Sequence, residues 1–146
     1  MRIYLSYDPA DAKDAEKFSN NLLAENPSVE FVQRPPAVTA ETVPTAEAKE
    51  EIEKALSSST IAICMVSEVT KDNQWVNFEM AAAEMQGRGI MGFFVEGDYV
   101  SPNEWPEFFR IRHNQYDVIM QGKMPKLNKA VMRAEAKGTQ TNIFEP

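Results

Sequence analysis

Two short apolar runs on either side of one helical pattern constrain this chain most. The first, Ile61-Ala62-Ile63-Cys64-Met65-Val66, contains no charged or hydroxyl residue and suits a strand buried on both faces. A polar loop from Ser67 to Asn73 follows, and then a helical pattern begins. Asp72 or Asn73 can cap that helix by accepting from a free backbone N–H, and Gly87 or Gly89 can end it in a left-handed turn. The second run is Ile90-Met91-Gly92-Phe93-Phe94-Val95. Strand, loop, helix and strand in this order form a βαβ unit, whose two strands are expected to be parallel neighbours. One charged residue stands out within it. Glu79 lies four positions after Trp75, so both are expected on the same side of the helix's first turns.

The flanking segments extend the alternation. Arg2 to Ser6 reads as a strand closed by Tyr7-Asp8-Pro9, where proline has no donor to continue it. Asp11 is the expected cap of a helix to about Glu25, with Ala15, Phe18, Leu22 and Leu23 at helical spacing. Asn26-Pro27-Ser28 breaks it, and Val29 to Val32 is a short strand. Gln33 to Thr45 holds Pro35, Pro36 and Pro44, shows neither period and reads as a long loop. A helix from about Ala46 to Leu56 leads into the central strand. After Val95, the segment Glu96 to Tyr116 carries Tyr99, Trp105, Phe108 and Phe109 and is expected to wrap the end of the sheet, with a short helix at Asn103 to Arg110. Asp117 to Met120 reads as a last strand, and Lys123 to Lys137 as a last helix ended by Gly138.

This order predicts a single α/β domain over 1–138 with a tail at 139–146. Its expected form is a three-layer sandwich: a central parallel sheet of about five strands, helices on both faces, and the flavodoxin-like order 2-1-3-4-5. In that order the chain reverses between strands one and three, which opens a crevice at their carboxyl ends. Ser6, Tyr7 and Asp8 stand at one of those ends and Ser67 to Thr70 at the other, with Glu79 beside them.

Composition narrows the function. A net charge of −7 disfavours attraction to nucleic acid or anionic membranes, and no apolar run approaches bilayer length. Met1 leads straight into Arg2-Ile3-Tyr4-Leu5, so no signal peptide and a cytoplasmic location are expected. The single Cys64 excludes an internal disulfide and reads as a buried, inert thiol; with the single His113 it cannot build an ordinary zinc site, and no metal is expected. His113, between Arg112 and Asn114, reads as a surface histidine, and Met80, Met85, Met120, Met124 and Met132 as helix and core filling.

The start of the chain, Ile3-Tyr4-Leu5-Ser6-Tyr7-Asp8 with Asp11, resembles the first box of TIR domains. The centre, Ser58 through Ile63, then Ser67, Thr70, Trp75-Val76 and Glu79, resembles the second, where an apolar strand and a Ser/Thr loop precede Trp, a small residue, two spacers and Glu. The group it resembles is the bacterial TIR-like one that includes the small subunit of the Thoeris anti-phage system. That resemblance spans roughly Met1 to Gly97. It implies cleavage of the nicotinamide–ribose bond of NAD, by hydrolysis or by cyclisation of the ADP-ribose product into a signal. It further implies Glu79 as the catalytic residue, Ser6, Tyr7, Asp8, Thr70 and Trp75 around the substrate, NAD as substrate rather than cofactor, and a homo-oligomer or TIR-like assembly. The Gln33–Thr45 loop and the Tyr99–Phe109 segment do not match the usual TIR pattern.

The chemistry asks little of the chain. Losing nicotinamide from NAD develops oxocarbenium charge on the ribose, which one carboxylate can stabilise or attack. The leaving group departs from a pyridinium and needs no acid. Each residue also has a plainer reading: Glu79 as a glutamate complementing the helix dipole, Trp75 as a core plug, Ser6 and Asp8 as turn residues. Two other functions fit the same residues. One is a non-catalytic TIR-like interaction module working through its long loops. The other is a nucleoside 2-deoxyribosyltransferase, which also opens on an Ile-Tyr-Leu strand but there tends to have a Gly-Pro-like turn in place of Ser6-Tyr7-Asp8.

Overall fold

The computed structural model describes residues 1–39, 43–95, 100–112, 115–116, 118–119, 129 and 131–137. Five parallel strands form one sheet: β1 (Arg2–Ser6), β2 (Glu30–Val32), β3 (Ile61–Val66), β4 (Gly89–Phe94) and β5 (Val118–Ile119), in the order β2-β1-β3-β4-β5. The flavodoxin-like order expected from the alternation is therefore the observed one. Four helices connect them: α1 (Ala12–Glu25), α2 (Ala46–Ser57), α3 (Gln74–Met85) and α4 (Glu107–Arg110). Residues 129 and 131–137 are also helical.

Strand alternation builds the three layers. Ile3 and Leu5 of β1, Ile61, Ile63 and Met65 of β3, and Met91 and Phe93 of β4 face one side, where Ala15, Phe18 and Leu22 of α1 meet them together with Val131 and Ala134. Tyr4, Ala62, Cys64, Val66, Ile90 and Phe94 face the other, against α2, α3 and α4. Every residue of β3 and β4 is buried, which is why both runs lack polar positions.

Helix ends follow local chemistry. Asn73 caps α3 by accepting from the Val76 amide at 3.0 Å, and Thr45 caps α2 by accepting from the Ala48 amide at 3.1 Å. Gly87 takes the left-handed conformation after α3 with φ 73°, a position that favours glycine, whereas Gly89 already belongs to β4. Asp11 does sit at the cap position of α1, but its carboxylate caps nothing there; it accepts from the Ser67 hydroxyl at 2.6 Å.

Other expectations need correction. Asn103 to Arg110 is not one helix: a 3-10 turn at Pro102–Glu104 is separated from α4 by Pro106, which has no N–H to offer a continuing helix. Met80 is buried, but Met85 and Met132 are 88% and 54% exposed, so they fill no core. The Gln33–Thr45 segment contains a 3-10 turn at Pro36–Thr39 and buries Val38. His113, Tyr99, Asp117, Met120, Met124, Gly138 and the 139–146 tail lie outside the described residues. Among the described residues no helix is long and apolar enough to cross a membrane. Nor do they include a group of three or more His, Cys, Asp or Glu side chains that could hold a metal.

Candidate active site

The site forms where β1 ends. Side chains two apart on a strand share a face, so Tyr4 and Ser6 both point toward α3. Glu79 meets them there, fully buried at 0% exposure. Tyr4 donates its phenol to Glu79 Oε2, and Ser6 Oγ donates to Oε1 at 2.8 Å. A third partner arrives from just beyond β2. Arg34 donates Nε to Oε2 at 2.8 Å and Nη2 to Oε1 at 2.5 Å, a bidentate pair, while its Nη1 donates to the Tyr7 carbonyl at 2.6 Å. The Arg34 guanidinium also lies over the Tyr7 ring, 4.7 Å from its centroid.

Charge explains the protonation states. Burial, and then the negative charge of Glu79, push the Tyr4 phenol well above its ordinary value, so it remains a donor. Burial alone would lower Arg34; the charge of Glu79 and the hydrogen bonds to it more than offset this, and the guanidinium stays protonated. Cys64 is also buried, and burial followed by the Glu79 charge pushes its thiol up, which leaves it inert.

Glu79 is not where a first-turn glutamate would be. It is the sixth residue of α3, beyond the reach of the free amides at the helix start. The dipole argument from sequence is therefore replaced by a direct ion pair with Arg34. Of the other residues singled out, Tyr7 lies under Arg34. Asp8 instead ties the loop after β1 to the start of α3: it accepts from Asn73 Nδ2 at 2.9 Å and from the Ala10 amide at 2.9 Å. Thr70 is fully buried and closes the Ser67 turn, accepting from the Ser67 amide at 3.1 Å and donating to its carbonyl at 2.9 Å. Trp75 is 5% exposed and belongs to the core on the α3 face of the sheet.

Tyr4 and Arg34 were missed by sequence reasoning. Tyr4 could have been found from its i, i+2 relation to Ser6. For Arg34 the available signal was its position two residues after β2, the strand that flanks the reversal between β1 and β3.

Asn73 carries two jobs at once, capping α3 and holding Asp8. Asn73→Ala is expected to cost about 1 kcal/mol for the cap. It should also speed amide exchange at Val76, which loses its acceptor. Thermal unfolding and hydrogen exchange measure the two effects separately.

A cavity of about 550 Å3 lies elsewhere, lined by Glu84, Gly87, Arg88, Gly89, Gln115 and Tyr116 among others. Gly89 begins β4, so the cavity is at the amino end of the sheet, opposite the end where Ser6 meets Glu79. Two of its lining residues, Glu84 and Tyr116, belong to a structural clip. Arg112 Nε donates to both oxygens of Glu84 at 3.0 and 2.9 Å, and Tyr116 donates to Glu84 at 2.6 Å.

Comparison with known proteins places these residues in context. The family model described as the TIR-like domain of Thoeris protein ThsB matches residues 4–99, which include Tyr4, Ser6, Arg34 and Glu79. No curated protein gives a match. Among solved structures, the flavodoxin-like domain of a Synechococcus protein is similar, with 14% identity and a TM-score of 0.45 over 97% of this chain and 96% of that one.

Proposed function

This chain belongs to the family of the Thoeris protein ThsB TIR-like domain, and from that premise we propose that it cleaves the nicotinamide–ribose bond of NAD in an anti-phage response. The observation that carries this reading is the buried carboxylate of Glu79, paired with a flat cation against the face of Tyr7. Such a slot has the features that a nicotinamide–ribose cation requires: one negative group, one aromatic wall and little water. In the reaction, the bond from ribose C1′ to the nicotinamide nitrogen breaks. Its electron pair stays on nitrogen and neutralises the pyridinium. Glu79 balances the positive charge left on the ribose until water, or a nitrogen of the adenine, closes on C1′ and releases a proton. Tyr4 and Ser6 fix the carboxylate.

A second reading also has an observation in its favour. Glu79 is inaccessible and saturated with donors, which suits a structural carboxylate in a non-catalytic TIR-like interaction module. The two part on NAD consumption. Under the catalytic reading, NAD is consumed by the full chain, including under crowding that drives assembly, and free nicotinamide accumulates in equal amount. Under the other, NAD stays intact while the protein self-associates or captures a partner to the same extent with Glu79→Gln.

A further inference from the structure

Each Glu79 oxygen can accept two hydrogen bonds in the carboxylate plane, and each already does: Tyr4 and Arg34 on Oε2, Ser6 and Arg34 on Oε1. No lone pair is left for a substrate. The Arg34 side chain is 8% exposed and that of Glu79 is 0% exposed, so water is shut out as well. Arg34 also has the shape and charge of what it excludes. A guanidinium is planar, delocalised and cationic, pairs with a carboxylate in two places and stacks on a ring. A nicotinamide–ribose group is planar and cationic too, and needs the same carboxylate.

We propose that Arg34 is a built-in occupant of the cation slot between Glu79 and the Tyr7 ring, and that it must leave before a substrate cation can bind. This rests on the reading of Glu79 as the catalytic carboxylate. Three features make the exchange workable. Arg34 follows β2, an edge strand of three residues that among the described residues pairs with β1 alone, the kind of element that opens locally at low cost. Exchange of one cation for another keeps the buried carboxylate paired, whereas opening without substrate leaves it alone. Once Arg34 has gone, Tyr4 and Ser6 each still hold one oxygen, so one lone pair on each faces the vacated slot. The apparent affinity for NAD is then set by the fraction of molecules in which Arg34 is out.

The test uses the full chain as wild type, Arg34→Ala, Arg34→Met and Arg34→Ala with Glu79→Gln. Carbodiimide coupling at Glu79, read by peptide mass spectrometry, is expected to be slow in wild type and about tenfold or more faster in both Arg34 single variants. Methylguanidinium should refill the slot of Arg34→Ala, raising its melting temperature and slowing the coupling, with no effect on the double variant. The KM for NAD should fall about 100-fold or more in Arg34→Ala, because opening without substrate leaves the buried carboxylate alone and keeps the open fraction of the wild type at about one-hundredth or less. Equal coupling rates in wild type and the single variants overturn the proposal, and so does indifference of Arg34→Ala to methylguanidinium. Should Arg34→Ala not fold, coupling in Arg34→Met, which fills the space without a charge, decides: a rate like wild type overturns it. If coupling and rescue behave as expected but no form ever cleaves NAD, the occluded cation slot stands and the NAD reading alone falls.

Discussion

Glu79→Ala is expected to lower the free energy of unfolding by about 3–5 kcal/mol, a large share of the stability of a domain this size. The cost comes less from lost contacts than from what is left behind. Arg34 keeps its charge at 8% side-chain exposure with no acid opposite, and the hydroxyls of Tyr4 and Ser6 lose their acceptor in a dry site. Urea unfolding measures the loss directly through the midpoint. Removing both charges at once, as Arg34→Met with Glu79→Leu, should recover most of it, because a well-packed apolar pair can replace a buried ion pair at little cost. The double-mutant cycle then isolates the coupling between the two residues. A single-variant loss below about 1 kcal/mol would mean that Arg34 reaches water easily and that the closed pair is weak.

Gly89→Ala is the other large effect expected, and it is unrelated to charge. A Cβ at Gly89 would collide with the carbonyl oxygen of Ala134 and stand 2.7 Å from its carbon and 2.8 Å from the Glu135 Cα. These are backbone atoms of the helical segment 131–137, so no side chain can turn aside. The helix has to slide off β4, disturbing the burial of Val131 and Ala134 and the hydrogen bond from Thr60 to Glu135. A loss of about 3 kcal/mol is expected in thermal or urea unfolding. Gly92→Ala is the control. The atoms nearest its Cβ would be side-chain methyls of Val118 and Val66 at 3.2 Å, which can shift, so about 1 kcal/mol is expected.

The sheet was legible because its residues carry local signals. Runs such as Ile61–Val66 are apolar at every position, Asn73 stands at a helix start, and Gly87 stands at a helix end. Together these give the alternation of strands and helices, and the alternation gives the order of the sheet. The site was only half legible. Glu79 and Ser6 were named, both through the resemblance of their segments to the TIR boxes. Arg34 was not, because its partner is 45 residues away and its own surroundings, Gln33 to Thr45, show no period. A loop that looks featureless along the sequence can still place one side chain into the core. Tyr4 was hidden differently, since a tyrosine in a buried strand reads as core until the polar residue two positions on marks its face. The first-turn reading of Glu79 failed on geometry: with α3 starting at Gln74, a residue five positions later is past the free amides. The single helix expected over Asn103 to Arg110 ignored Pro106, whose effect on a helix interior is among the stronger local rules.

The central claim is that Glu79 breaks the nicotinamide–ribose bond. The most direct measurement is quantitation of nicotinamide and its ADP-ribose partner product by liquid chromatography and mass spectrometry, after incubating NAD with concentrated wild type and with Glu79→Gln confirmed as folded by circular dichroism. The account predicts nicotinamide release by the wild type, reduced about 100-fold or more by the substitution, with the partner product separating hydrolysis from cyclisation. Release at the same rate from folded Glu79→Gln, or none from wild type under assembling conditions, would contradict it.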